Sequence, residues 1–389
     1  MKIFNSLGRK MVKFEPENPP KVTIYVCGIT PYDTTHLGHA YTYVFFDVLQ
    51  RYLKFKGYQV NYVQNVTDID DDILRKAKEV KKDWQELGQF WTERFLENMK
   101  ALNVKPPTHL VKATQSIPKM IQIIKVLIKK GVGYETNGNV YFEVKKFPHY
   151  GRLSKSFKHQ MMLLLKERGG DPNDPNKKYP LDFLLWQKSK GDEPFWDSPW
   201  GKGRPGWHIE CSAMIYEFLG EQIDIHGGGR DLIYPHHESE IAQSESFTGK
   251  KFVKYWVHVC MVLYQGEKMA KSLGNLVMVK DLLKKYSANT IRFLLLSHHY
   301  RSPWEFTQDN LKKIDSKVKL IETIIGGAKN ISYPSDLSNQ NNLWLKKFTY
   351  LMDQDLNTPE VLKYLITLAK TNQPDQLKKI FQILGFKLT

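Results

Sequence analysis

Cysteine is nearly absent from this chain: 389 residues carry only Cys27, Cys211 and Cys260. So odd and sparse a count excludes a disulfide framework, and no Cys-x-x-Cys pair announces a metal knuckle or a redox motif. No run of about 18 apolar residues exists either, which excludes an ordinary membrane-spanning helix. The opening residues, MKIFNSLGRK, lack the apolar stretch of a signal peptide, so the expected setting is the cytoplasm, away from membranes. Internal repeats and low-complexity tracts are missing too. Acidic residues fall short of basic ones, 41 against 57, for a formal net charge of +16. That excess is the footprint of a protein that meets a polyanion, although solvated lysine on helix faces would give the same count. Lysine-rich stretches at 76–82, 125–130 and 312–319 could track a phosphate backbone.

With 41% apolar residues and this length, the chain has room for a sizeable core and two or three domains. Two clusters within it carry the chemistry. The first, His36-Leu37-Gly38-His39, follows the β-branched run Val22 to Val26, which reads as a buried parallel strand. Apolar residues then recur at spacings of three and four (Val44, Phe45, Val48, Leu49, Tyr52, Leu53), stop at Gly57, and give way to a second strand pattern from Val60 to Val66. One strand, helix, strand crossover results, with both histidines at a helix N-terminus, where free amides and the helix dipole attract phosphate. The second cluster, Lys268-Met269-Ala270-Lys271-Ser272, lies between Gly266 and Gly274 and offers two point charges to the same phosphates. Taken singly, the first reads as a loop or metal coincidence and the second as a solvated turn. Together they predict a split ATP site.

Two of the cysteines fall where ligands bind in doubly wound folds. Cys27 ends the first strand and Cys211 follows Trp207-His208, which places both at the carboxyl edge of a parallel sheet. His236 and Glu240, four apart after Pro235, share one face of a helix start. Two thiols, an imidazole and a carboxylate make a set suited to zinc, though the spacing by itself leaves the metal open. Helical geometry turns the neighbours His237 and Glu238 away, toward structural roles. Cys260, in the strand-like run Tyr255 to Met261, reads as a small core hydrophobe.

With its HLGH and KMAKS clusters, the sequence resembles the class I aminoacyl-tRNA synthetases. Tyr25-Val26-Cys27-Gly28, Tyr62 to Asp68, Gly206-Trp207-His208-Ile209-Glu210-Cys211, and Asp224 to Gly229 with Pro235-His236-His237-Glu238 narrow the resemblance to the cysteine-activating branch. It covers essentially the whole chain. The resemblance implies an α/β fold, a Rossmann-like doubly wound parallel sheet with an insertion and a C-terminal helical region. It implies formation of cysteinyl-adenylate from L-cysteine and ATP, with Mg2+ accompanying the nucleotide. His36, His39, Lys268 and Lys271 would stabilise the charge, and Gly38, Gly227, Gly228, Gly229, Asp231 and Ser272 would contribute to the ATP site. Asp231 would meet a ribose hydroxyl. Thr67 and Trp207 match positions lining the amino-acid pocket, core packing being the alternative for Trp207.

The same resemblance assigns Zn2+ to Cys27, Cys211, His236 and Glu240, with the substrate thiolate bound to it. Such a bond has a purpose, because apolar pockets separate near-isosteres such as serine and cysteine only about a hundredfold. Four protein ligands ordinarily close a zinc site, so the substrate would enter as a fifth ligand or displace Glu240.

The expected organisation is a first nucleotide-binding half over 1–105, an insertion over 106–195, a second half with the KMAKS loop over 196–276, and a helical region over 277–389. Thr358 is expected to cap a helix with Pro359 at its first position. An anticodon-binding domain is expected to be absent. That shortness, the Cys27 to Asp33 variant and the insertion motif Glu167-Arg168-Gly169-Gly170-Asp171-Pro172 look like a mycothiol-pathway ligase, which joins cysteine to a glucosaminyl-inositol amine. The basic surface and the commonness of tRNA-charging enzymes favour tRNA-Cys as the expected acceptor, with the small aminosugar as the alternative. A catalytically silent RNA-binding paralogue is a third reading, at odds with the intact ligand and phosphate residues.

Overall fold

The computed structural model describes residues 1–269, 273–327 and 343–388. A short antiparallel pair, β1 (Lys2–Asn5) and β2 (Lys10–Lys13), precedes the first long strand, β3 (Lys21–Ile29). Helix α1 (Leu37–Phe55) follows, then β4 (Gln59–Val66), α2 (Asp71–Val80), α3 (Trp84–Ala101), β5 (His109–Lys112) and α4 (Ile117–Lys129). An antiparallel sheet comes next, built from β6 (Gly133–Thr136), β7 (Asn139–Phe142), β8 (Phe183–Lys188) and β9 (Gly203–Pro205), with α5 (Lys158–Glu167) inserted between β7 and β8. The chain returns through α6 (Trp207–Phe218), β10 (Ile223–Gly229), α7 (Glu238–Thr248) and β11 (Val253–Val259).

Strands from the two ends of this path form one sheet, in the order β11-β10-β3-β4-β5, and every pair in it is parallel. The fold class is therefore a doubly wound α/β sheet. Its two halves meet where β3 lies against β10, and the crevice at the carboxyl ends there is where such folds take ligands.

Side-chain alternation along β3 sorts the two layers. Val22, Ile24 and Val26 pack on one face with α1, while Tyr25 and Cys27 point to the other, against α4, α6 and α7. The rule holds on β10 and β11: Ile225 and Val257 join the α1 side, Trp256 the opposite one. A one-residue offset along β3 thus decides that Cys27 faces α6 and α7.

Helix α1 begins at His36, whose ring nitrogen accepts from the Gly38 amide at 3.1 Å, and stops before Gly57 at φ +90°. Beyond β11 come the hairpin β12 (Val262–Tyr264) and β13 (Glu267–Lys268), then α8 (Val279–Leu283), α9 (Ala288–Leu296) and β14 (Trp304–Glu305), which pairs with β12. Among the described residues four helices follow: α10 (Gln308–Gly327), α11 (Leu343–Asp353), α12 (Thr358–Lys370) and α13 (Pro374–Ile383). The cap of α12 is Asn357 rather than Thr358, its side chain accepting from the Glu360 amide, while the Thr358 hydroxyl donates to Leu296 O at 2.8 Å. Strand β7 ends at Phe142, since Val144 starts a short 3-10 turn.

A buried ion cluster ties α1 to this helical layer. Asp47 accepts from the Arg51 side chain at 2.8 Å, from the Lys105 amide at 2.9 Å and from Arg292, whose other nitrogens reach Leu384 O and Leu102 O. Asp47→Ala strands two guanidinium groups in the core, so a loss of about 3–5 kcal/mol is expected. Urea unfolding would read it, and a loss under about 1 kcal/mol would mean that the cluster is not what joins these layers.

Candidate active site

Four of the residues singled out by sequence converge beneath the crevice. Cys27 Sγ lies 3.8 Å from Cys211 Sγ, His236 Nε2 lies 3.4 Å from Cys211 Sγ and 3.1 Å from Glu240 Oε1, and Cys27 Sγ lies 4.0 Å from Glu240 Oε1. All four are buried, on β3, α6, the turn before α7, and α7. Tetrahedral zinc with bonds of about 2.0–2.3 Å holds its donors roughly 3.3–3.8 Å apart, so the donor chemistry and the spacing both fit. Burial pushes both thiols and the Glu240 carboxyl above their usual ranges and holds the His236 ring well below its own. The protein alone is therefore a cluster of neutral donors, and a cation reverses that balance by favouring the deprotonated forms.

The imidazoles packed around this set orient it. His226 Nε2 meets Glu240 Oε2 at 2.9 Å, which leaves Oε1 turned toward His236 and Cys27, and His208 Nδ1 meets His236 Nδ1 at 3.0 Å. His237 departs from its expected position. Its Nε2 lies 3.3 Å from Cys27 Sγ, and Cys27, His226, His237 and Glu240 form a second group of metal-ligating geometry. The reason is local: His237 stands three residues before Glu240, a spacing that also shares a helix face, and its Nε2 lies 4.0 Å from Glu240 Oε1. From His237 the contacts continue through His258 at 2.8 Å to Ser6 at 2.8 Å. Glu238 is structural, accepting from the amides of Leu153 and Ser154.

The amino-acid candidates flank the cluster. Trp207, at the start of α6, stacks on the His236 ring at 4.3 Å between centroids. Thr67, at the carboxyl end of β4, is buried and its hydroxyl accepts from Asn65 at 3.2 Å.

At the sheet edge the first signature cluster meets Lys268 and the chain that follows the KMAKS loop. The Leu37 amide donates to Val277 O at 2.8 Å and the Val279 amide to Thr35 O at 3.2 Å, which zips the start of α1 to the chain leaving the KMAKS loop. The His36 and His39 rings lie 3.9 Å apart, and Lys268 is close enough to help depress His36. Burial, then His39 and Lys268, bring His36 down to about 2; burial brings His39 to about 4 against the pull of Asp231. Both rings are neutral hydrogen-bond donors at physiological pH. Lys271 and Ser272 lie outside the described residues.

Gly227, Gly228 and Gly229 end β10 beside α1. A Cβ on Gly227 would lie 2.1 Å from the Phe46 ring, so only glycine lets α1 press this close to the strand. Asp231 Oδ2 is held by Arg168 at 2.8 Å, with Lys268 Nζ 3.9 Å away.

A family model described as the tRNA synthetases class I (C) catalytic domain matches residues 13–316. The chain belongs to this family. Among similar relatives of this class I synthetase chain is the cysteine--tRNA ligase of Thermodesulfovibrio yellowstonii, 45% identical, the alignment covering 98% of this chain and 81% of the relative. The ligase of Thermococcus onnurineus is 46% identical over 95% of this chain and 79% of its own, and that of Legionella pneumophila 46% over 99% and 84%. In solved structures, two of Mycobacterium tuberculosis methionyl-tRNA synthetase with methionyl-adenylate share the fold, with TM-scores of 0.62 and 0.66 at 14% and 13% identity. They cover 94% and 93% of this synthetase chain and 82% and 84% of their own.

What sequence reasoning missed in this synthetase is the imidazole shell. His226 and His258 stand on β10 and β11 in the same alternation that sends Cys27 to the α6 and α7 side, and that alternation is the signal that would have found them. Among the described residues, no helix is long and apolar enough to cross a membrane.

Proposed function

We propose that this chain is a cysteine--tRNA ligase, activating L-cysteine with ATP and passing it to tRNA-Cys in the cytoplasm. The observation that carries the reading is the buried Cys27, Cys211, His236, Glu240 set joined to the His36, His39, Lys268 edge: His237, 3.3 Å from Cys27 Sγ, meets His258, and Asp231 acts on both His258 and His39. An amino acid whose side chain reaches the first presents its carboxylate to a nucleotide on the second. When bound, zinc would supply a Lewis-acid seat for the substrate thiol and favour its thiolate. Trp207 and Thr67 wall that pocket. With Gly227 to Gly229 against the nucleoside, the carboxylate oxygen attacks the α-phosphorus of Mg-ATP. The bond to the bridging oxygen breaks, and pyrophosphate leaves with the electron pair. His36 and His39 donate to the phosphates as charge builds, and Lys268, with Lys271 and Ser272, adds its charge there. A tRNA hydroxyl then attacks the adenylate carbonyl, and AMP leaves.

The proposed division of labour puts the nucleotide-binding halves at 1–105 and 196–276, the insertion at 106–195 and the helical region at 277–389. The +16 charge favours a polyanionic acceptor, and the relatives named above are all cysteine--tRNA ligases, so nothing in them supports the small-amine acceptor. Labelled cysteine with ATP, offered to total tRNA and in parallel to glucosaminyl-inositol, tests this. Ribonuclease-sensitive, acid-precipitable label is expected; label in the small amine alone would overturn the acceptor, and no cysteine-dependent pyrophosphate exchange would overturn the activation.

A further inference from the structure

The insertion motif Glu167 to Pro172 has no part in the reaction just described, yet its arginine ends inside the nucleotide site. Helix α5 closes with Arg168 at its C-terminal cap, and the chain turns sharply through Gly169 at φ +81°. That φ favours glycine, and the Gly170 amide donates back to Leu165 O at 2.9 Å, which closes the turn. The turn aims the Arg168 side chain across the crevice. Its Nη2 donates to Asp231 Oδ2 at 2.8 Å and approaches the Asp231 carbonyl at 3.4 Å. Lys268 lies 3.9 Å from the same oxygen. Both cations engage Oδ2, and Oδ1 is turned back to the Gly229 backbone, where an added Cβ would lie 2.4 Å from it. Burial raises the Asp231 carboxyl, but Arg168 and Lys268 outweigh it and hold the group below its ordinary range.

We infer that Arg168 is a positioning residue of the nucleotide site: reaching in from the insertion, it fixes the orientation of the Asp231 carboxylate that meets a ribose hydroxyl and steadies Lys268 beside it. The inference rests on the ATP-dependent activation proposed above. It gives the insertion a role in the first half-reaction, whichever acceptor is used in the second. A carboxylate held at one oxygen by a planar guanidinium keeps its rotamer, whereas a lone lysine at 3.9 Å leaves it free to turn.

The test is cysteine-dependent pyrophosphate exchange by the full chain, wild type against Arg168→Met and Arg168→Lys, with ATP and cysteine varied separately and thermal melting as a fold control. In Arg168→Met, KM for ATP is expected to rise about tenfold while KM for cysteine stays within about twofold, the change worth about 1.4 kcal/mol. Arg168→Lys should recover part of it, since charge returns without the fork. In the wild type, 2'-deoxy- or 3'-deoxy-ATP should be a poorer substrate than ATP, and that penalty should shrink in Arg168→Met. Unchanged constants, an equal rise in both KM values with a lowered melting point, or a defect confined to transfer to tRNA would each overturn the inference. An absence of exchange in the wild type would instead overturn the activation reading.

Discussion

Cys211→Ser is expected to lose metal and, with it, about three orders of magnitude in cysteine-dependent pyrophosphate exchange, roughly 4 kcal/mol of barrier. Cys211 Sγ stands 3.8 Å from Cys27 Sγ and 3.4 Å from His236 Nε2, almost wholly buried, and the neighbouring group of Cys27, His226, His237 and Glu240 keeps only one thiol, so it does not replace the two-thiol set. A serine hydroxyl stays protonated at neutral pH and offers a cation no thiolate. The lost ligand removes the means by which cysteine is told from serine, because the surrounding apolar wall supplies only about a hundredfold. Metal content of the purified chain and exchange rates would be read together. Cys260→Ser is the control: that thiol, just beyond β11, contacts Arg230 at 3.3 Å, belongs to neither group of metal-ligating geometry and should leave both within a fewfold of wild type. Full metal and full exchange in Cys211→Ser would end the proposal for this set.

Much of this site was legible before any coordinates, for a reason that is physical. The run Val22 to Val26 and the three-and-four spacing from Val44 to Leu53 report burial on both sides of β3 and α1, and those two elements fix where Cys27 and His36 stand. His236 and Glu240 share a face because they stand four apart, the one extended residue of the turn, Tyr234, lying before both. Weighing only the spacing of four turns His237 away; it stands three from Glu240, which also shares a face, and Cys27 reaches it from β3. His208, which orients His236, and His226, which orients Glu240, needed a neighbour from a distant segment to acquire meaning. Periodicity reports the face a residue occupies and is silent on which strand will be laid beside it. The contact between Arg168 and Asp231, 63 residues apart, is of that second kind.

Either His36→Ala or His39→Ala is expected to slow exchange by about 10²–10³, the usual cost of removing one preorganised donor. The pH dependence sharpens the expectation. With His36 near 2 and His39 near 4, both rings are neutral at pH 6 and at pH 8, so the factor lost should be the same at both values. A donor that worked as imidazolium would lose its advantage between them. The same two values carry a stability signature of definite sign. The unfolded chain takes up these protons near 6.5 and the folded chain does not, so the rings contribute nothing above about pH 7 and cost stability as pH falls below 6.5. Replacing either ring removes that cost. From pH 7.5 to pH 5 the unfolding free energy of each variant should gain on wild type by up to about 2 kcal/mol, less whatever solvent screens at the open edge of the rings. Urea unfolding at the two pH values reads the difference, and the other buried histidines are common to all three proteins and cancel. A gap that does not move with pH, or ring protons titrating near 6.5 in the folded chain, would place these imidazoles in water and remove the argument that they meet phosphate as neutral donors.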